Sequence, residues 1–539
     1  MNPIRTLACG TIRLQTAAAL FSVLLLSSFS VSTVAAGVPT PMTDTGQTAC
    51  FNNYGTMTCP GEGRRFFGQD ANYAATPMAY RDNGDGTVTD LVTGLMWSQA
   101  VDARKVSLDE AKTMAKRMTL GGHSDWRVPN IKELYSLMNF SGNTGMMRPG
   151  SSGSVITTAI PYINTDYFNF KYGNTNNGER YIDAQWLSST TYVHTTMKGN
   201  PTLFGVNFAD GRIKGYGYGN RGPRGGKKFY VRFVRGKAYG YNQFRDNGNG
   251  TVTDRATGLT WMQADSGTTM TWQDALAYAE SATVGGHSDW RLPNAKELQY
   301  ILDYTRSPDT TDSAAINPVF SATAITNEAN QRDFAHYWTG TSLNDGPRPG
   351  DSAVTVCFGR AMGQMHGQVM DVHGAGAQRS DPKQGRSQIG RGPQGDARRV
   401  KNMVRLVRGG NVTTALQTAA VDRNSYPRRI RIDKGYEPVS TGSMGMGQMG
   451  NRKGVGRRGS NSFGSGHTTG NASQFTIPSQ GGGRPGYVSR LDRDGDNRVS
   501  KSEFDGPPSH FSRFDRNNDG YLTEDEAPKG PPPGGGSFQ

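Results

Sequence analysis

RDNGDGTVTDLVTGLMW at residues 81–97 returns as RDNGNGTVTDRATGLTW at residues 245–261. Outward from this phrase the match runs without a gap. Residues 81–139 recur as 245–303, always 164 positions later, and GGHSDWRVPNIKEL becomes GGHSDWRLPNAKEL. Self-similarity at a fixed offset means one structural unit made twice. Each copy closes on a strand-like phrase, VRFVRG at 231–236 and VRLVRG at 404–409, which sets copy one at 81–236 and copy two at 245–409.

Local rules then place the elements. The Asn-Gly and Asp-Gly pairs at 83–86, followed by Thr87, Val88 and Thr89 and then by Leu95, Met96 and Trp97, predict a hairpin. Ser107 with Glu110 is a capping box ahead of an apolar helical stripe, Leu108, Ala111, Met114, Ala115 and Met118. Thr271 and Asp274 repeat it. Asn130 and Glu133 cap a second helix carrying Leu134, Leu137 and Met138, mirrored by Asn294, Glu297, Leu298, Ile301 and Leu302. The remainder, including 185–191 and 337–342, reads as strands between Gly-rich loops. Each copy is therefore expected to be a small α+β domain with two short helices.

Composition bounds the rest of the chain. Its 539 residues include 71 glycines, and the formal net charge is +14, which favours anionic partners. Residues 1–36 carry Arg5 and Arg13, no acid, an apolar stretch at 17–26 and small residues at Val34 and Ala36, the pattern of a secretory signal peptide cut before Gly37. That stretch is shorter than the roughly 20 residues a membrane span needs. The protein is thus expected to be exported, to the periplasm, the cell surface or the medium. In such a compartment Cys50 and Cys59 are expected to form a disulfide within an N-terminal segment at 37–80, leaving Cys357 as a buried free thiol in an apolar strand. Residues 410–487 are rich in Gly, Ser and Arg and predict a disordered basic linker.

The strongest chemical signal follows at 488–530, ahead of a Pro/Gly tail at 531–539. Asp492, Asp494, Asp496, Ser500 and Glu503 occupy positions 1, 3, 5, 9 and 12 of a twelve-residue loop, with the Arg498 carbonyl at position 7. A second loop sets Asp515, Asn517, Asp519, the Tyr521 carbonyl, Thr523 and Glu526 in the same positions, with Gly520 at the sharp turn. Oxygen ligands at this spacing, closed by a glutamate, make the cage of an EF-hand, and Ca2+ is the expected cofactor. Val499 and Leu522 fill the apolar eighth position of each loop. Pro507 and Pro508 allow only short helices around the pair.

Other motifs fall away. Aligning Gly86 with the sixth position of a calcium loop puts Arg81 first and Val92 twelfth, so the DNGDGTVTD phrase is a turn. His123 and His287 have no second histidine or cysteine at metal spacing and read as parts of a hydrogen-bonded loop; Trp186 and Trp338 read as core aromatics. The soft donors around His366 and His373 and the MGMGQM tract at 444–449 suit a flexible linker better than Cu(I). GYGNRG at 217–222 lacks the strand a dinucleotide fingerprint requires. A basic loop with interleaved aromatics spans 212–228, a surface on which sugars or bases could stack.

NGDGTVTD, TGLMW, GGHSDWR(V/L)PN-x-KEL and the closing VR-x-VRG, in that order, resemble the Lcl C-terminal domain family. The WRLPN phrase before a capped helix and the terminal VRLVRG strand are also similar to the C-type-lectin-like fold of formylglycine-generating enzymes. The first resemblance implies a surface or extracellular binding role, with an anionic polysaccharide or other surface polymer as partner, since the name-giving member of the family is an adhesin. The second implies a fold. Formylglycine-generating enzymes need a cysteine pair late in the domain, and copy one has none there while copy two has only Cys357. The sugar-binding tripeptides of true C-type lectins are missing too. A non-catalytic binder is expected; an enzyme of the formylglycine type and a structural subunit of a surface assembly are the alternatives. Neither a membrane span nor an intracellular nucleic-acid partner is expected, and the oligomeric state is left open.

Overall fold

The structure is a computed structural model that describes residues 42–102, 104–145, 158–219, 226–410 and 412–414. In the C-terminal segment it describes 488, 491–492, 498–501, 503–504, 511, 514–516, 519–523 and 526. The predicted signal peptide, most of the predicted linker and the MGMGQM tract lie outside the described residues. The fold is mostly β with a few short helices. No helix among the described residues is long and apolar enough to cross a membrane.

In copy one, Tyr80–Asp82, Thr87–Asp90, Met96–Ser98 and Val234–Arg235 make a four-stranded antiparallel sheet. Asn83 shapes its first turn by donating from Nδ2 to the Thr87 and Thr89 hydroxyls at 2.9 Å each. Gly86, at φ +83°, takes a conformation that favours glycine. Copy two repeats the sheet strand for strand with Phe244–Asp246, Thr251–Asp254, Leu259–Met262 and Val407–Gly409. Helices α1 (Leu108–Arg117) and α2 (Ile131–Ser136) of copy one correspond to α3 (Trp272–Ser281) and α4 (Ala295–Tyr300) of copy two. The capping boxes at Ser107, Asn130 and Asn294 are all formed, and Thr271 caps α3 by accepting from the Asp274 N–H. A further short helix, α5 (Pro308–Thr311), belongs to copy two alone.

Three longer strands of each copy join a single sheet. Its order is His336–Leu343, Ser352–Cys357, Gln378–Pro382, Arg212–Gly217, Asn200–Asn207, Gln185–Thr196, antiparallel throughout. The two central strands are counterparts of one another and meet antiparallel, Gln378 opposite Ile213, so the copies are related by an approximate two-fold through the middle of the sheet. One apolar core runs beneath, containing Trp97, Trp186 and Phe204 from copy one and Trp261, Tyr337 and Val356 from copy two, all fully buried. The repeat is thus two domains in sequence and one body in space.

Contacts at the seam are close. A Cβ on Gly215 would lie 2.1 Å from the His373 carbonyl oxygen, a backbone atom of the other copy. Gly215→Ala must push the His373 segment of copy two off the copy-one central strand, and we expect a loss of about 1–3 kcal/mol, the usual range for overpacking a well-packed interior, measured by urea unfolding. The KEL lysines tie down the segments that lead into the copies. Lys132 Nζ donates to the Gly240 carbonyl and to Asn242, and Lys296 Nζ to Thr43, the Asp44 carbonyl and the Ser136 carbonyl. Burial pushes the two ammonium groups down, to about 8 and about 7 respectively.

Residues 42–80 lie against copy two. The Cys50–Cys59 disulfide is formed, Phe66 stacks on Trp272 of α3 at 6.3 Å, and Asp70 Oδ2 accepts from the Thr45 and Thr341 hydroxyls. Tyr73–Ala74 pairs with Thr413–Thr414, so ordered pairing continues a few residues beyond the closing phrase of copy two.

Candidate functional site

The repeated charged residues bind one another. In copy one Arg127 of GGHSDWR reaches Glu133 of KEL through two bonds of 2.6 Å, and Arg291 reaches Glu297 the same way at 2.7 Å. Each glutamate also accepts from the N–H of its helix-capping asparagine. The second arginine of each closing phrase, Arg235 or Arg408, pairs with Asp125 or Asp289 at 2.6 Å, and these hydrogen bonds hold both carboxyls below the usual range. Trp126 and Trp290 donate from the indole nitrogen to the carbonyls of His123 and His287. The two histidine loops are hydrogen-bonded, as their composition suggested, and Trp186 and Trp338 are fully buried.

Sequence reading missed the first arginine of each closing phrase. Arg232 is fully buried and donates to the carbonyls of Ser98, Gln99 and Asn169, with its guanidinium 4.9 Å from the Phe168 ring and 5.0 Å from Trp186. Arg405 does the same for Met262, Gln263 and Ser321 beneath Phe320 and Tyr337. Burial holds the Arg232 guanidinium below its ordinary value. VR-x-VRG alone reads as an alternating strand, and nothing local in it says that three distant carbonyls converge on its first arginine.

The calcium-type loops fall partly within the described residues. Asp494, Asp496 and Asn517 lie outside them; Asp492, Arg498, Ser500, Glu503, Asp515, Asp519, Tyr521, Thr523 and Glu526 lie inside. The eighth-position residues pair with each other: Val499–Ser500 and Tyr521–Leu522 form an antiparallel ladder, Val499 opposite Leu522. Both side chains are fully buried in a small cluster with Val488, Leu491 and Phe511. The twelfth-position glutamates turn inward. Glu503 Oε2 accepts from the N–H and hydroxyl of Ser500 at 2.8 Å each, and Glu526 Oε2 accepts from those of Thr523 at 3.1 and 2.9 Å. Gly520, at φ +86°, donates its N–H to Asp515 Oδ2 at 3.1 Å. Asp515 Oδ1 is buried and has no hydrogen-bond partner among the described residues. A buried carboxylate oxygen lacking a donor is costly unless a cation meets it. The residues present therefore suit a hard, oxygen-seeking ion.

Among the described residues the third cysteine, Cys357, is buried and free, and burial pushes its thiol well up. Among the described residues no group of three or more His, Cys, Asp or Glu is arranged to hold a metal.

A duplicated, mostly β unit, fused through a shared sheet and braced by its own repeated ion pairs, defines the class. The chain belongs to the Lcl C-terminal domain family, whose model matches residues 86–235 and 250–372, just over half of the sequence. No curated protein and no solved structure matches the chain.

Proposed function

We propose that this protein is an exported, non-catalytic binder of an anionic extracellular ligand such as a polysaccharide, with calcium ordering its C-terminal module. The observation that carries the calcium reading is the Val499–Leu522 pairing of two loops whose final glutamates fold back on Ser500 and Thr523, with Asp515 Oδ1 buried and unpaired among the described residues. In that reading the first ion is held by Asp492, Asp494, Asp496, the Arg498 carbonyl, Ser500 and Glu503. The second is held by Asp515, Asn517, Asp519, the Tyr521 carbonyl, Thr523 and Glu526. Calcium bound there supplies charge neutralisation and cross-links the loop ends; it takes part in no reaction. Sites of this compact extracellular kind bind with Kd of about 10⁻⁴–10⁻³ M, which extracellular calcium can fill.

The binding half of the proposal draws on the surplus of positive charge and on the family. It is also supported by the use to which the repeated residues are put: they brace the fold. Formylglycine-type chemistry needs two reactive thiols, and here one pair is oxidised to a disulfide and the third thiol is buried. Two measurements test the proposal. Calorimetric titration of the chelator-treated full chain should show two calcium ions bound. Retention on immobilised acidic polysaccharides should exceed that on neutral ones and weaken as salt rises. Absence of calcium heats removes the first half, and equal or absent retention removes the second.

A further inference from the structure

Copy one contains a charged cleft. It has a volume of about 500 Å³ and is lined by Lys105, Glu179, Arg180, Asp183, Lys227 and their neighbours. Most of its charges are locked in pairs. Lys105 Nζ donates to both Glu179 oxygens at 2.7 Å and to the Asp183 carbonyl at 2.6 Å, and it sits 4.9 Å from the Tyr230 ring. Arg180 clamps Asp183 through Nε and Nη2, which, against the upward push of burial, holds that carboxyl down at about 2. Lys227 is different. Its ammonium lies 4.5 Å from the centre of Tyr216 and 5.9 Å from Phe229, and among the described residues it has no ion-pair partner. The charged groups that bear most on it are Asp183, Lys214, Lys105 and Arg180, three cations against one carboxylate.

The second copy serves as an internal comparison. The bridges Val106–Phe229 and Met270–Asn402 are equivalent, which puts Thr269 in the place of Lys105 and Val400 in the place of Lys227. The residue matching Gln185 at the start of the outer strand is His336. It is covered by Arg399, whose guanidinium stands 3.1 Å from His336 Nε2 and pairs with Glu328 at 2.6 Å. Copy two thus fills with its own side chains the place that copy one leaves open.

We infer that the copy-one cleft is a subsite for one anionic sugar unit, the anion seated on Lys227 against Tyr216 and the sugar hydroxyls donating to Glu179 and Asp183. A free cation beside paired carboxylates suits a ligand that carries both an anion and hydroxyl donors. The anion is a carboxylate or a sulfate. This assignment rests on the proposed polysaccharide-binding role and adds its location.

The test is equilibrium binding of the full chain to dextran sulfate, polygalacturonate and neutral dextran, comparing the native sequence with Lys227→Met, Lys401→Met in copy two, and the linker double variant Arg457→Ala/Arg458→Ala. Lys227 makes no ion pair, and methionine keeps apolar contact with Tyr216 and Phe229, so its replacement should move the melting temperature little. We expect Lys227→Met alone to weaken binding, by roughly 10- to 100-fold, the worth of one charge-assisted contact. The polymer on which that loss appears identifies the anion. If the native chain binds acidic polymers and Lys227→Met binds them equally well, or if Lys401→Met costs as much, the cleft assignment is overturned while the broader binding reading stands. If the native chain binds no acidic polymer, or binds neutral dextran equally well, both fall.

Discussion

Arg232→Met lowers the stability of the whole folded body by about 3–5 kcal/mol, the size expected when several buried hydrogen bonds from one charged donor are lost together. Methionine matches much of the volume but cannot donate. The carbonyls of Ser98 and Asn169 would lose the guanidinium that reaches them, each at a cost of about 1–3 kcal/mol before relaxation, while the Gln99 carbonyl would keep only the Asn169 N–H. Arg405→Met should behave alike, because its three acceptors are the matching positions of copy two. Arg235→Ala, by contrast, removes an ion pair to an exposed, solvent-screened Asp125 and should cost much less. Differential scanning calorimetry adds a second readout. Since the copies share a sheet and a core, Arg232→Met should shift one cooperative transition. A native-like copy-two transition surviving beside an early copy-one transition would show that the copies fold independently.

Glu503→Gln and Glu526→Gln should each reduce calcium affinity at the affected loop by more than about 100-fold. Even the loss of an outer hydrogen-bond partner of a metal ligand costs 10–100-fold, and here the ligand itself loses its charge and one of two coordinating oxygens. Glutamine keeps one oxygen to accept from the N–H and hydroxyl of Ser500 or Thr523, so the loop backbone should hold. Calorimetry is the measurement, with one binding event remaining in each single variant and none in the double. Two undiminished events in the double variant would overturn the ligand assignment. Because Val499 and Leu522 couple the loops, the surviving site in each single variant should also be weakened, though by less.

Much of this molecule is written locally. The offset of 164 residues, the Asn-Gly turns and the capping pairs each act within a few residues of backbone, so the hairpins and helices α1 to α4 appear where the sequence places them. The Cys50–Cys59 disulfide closes a short loop and was legible for the same reason. At the C-terminal end Val499 and Leu522 pair with each other.

What the sequence by itself determined, then, is the identity and order of the local units. Turn geometry and helix capping are set by neighbours along the chain. Only the tertiary structure decided that two repeats make one body, because Gln378 meets Ile213 across 165 residues and no local preference selects that partner. It likewise decided the opposite fates of arginines that look alike in VR-x-VRG: Arg232 turns inward to three carbonyls from separate loops, while Arg235 turns out to Asp125. The copy-one cleft, too, exists only where Lys105, residues 179–183 and Lys227 are brought together from three stretches of chain. Burial and long-range pairing depend on the path of the whole chain, and periodicity within a single element carries no record of them.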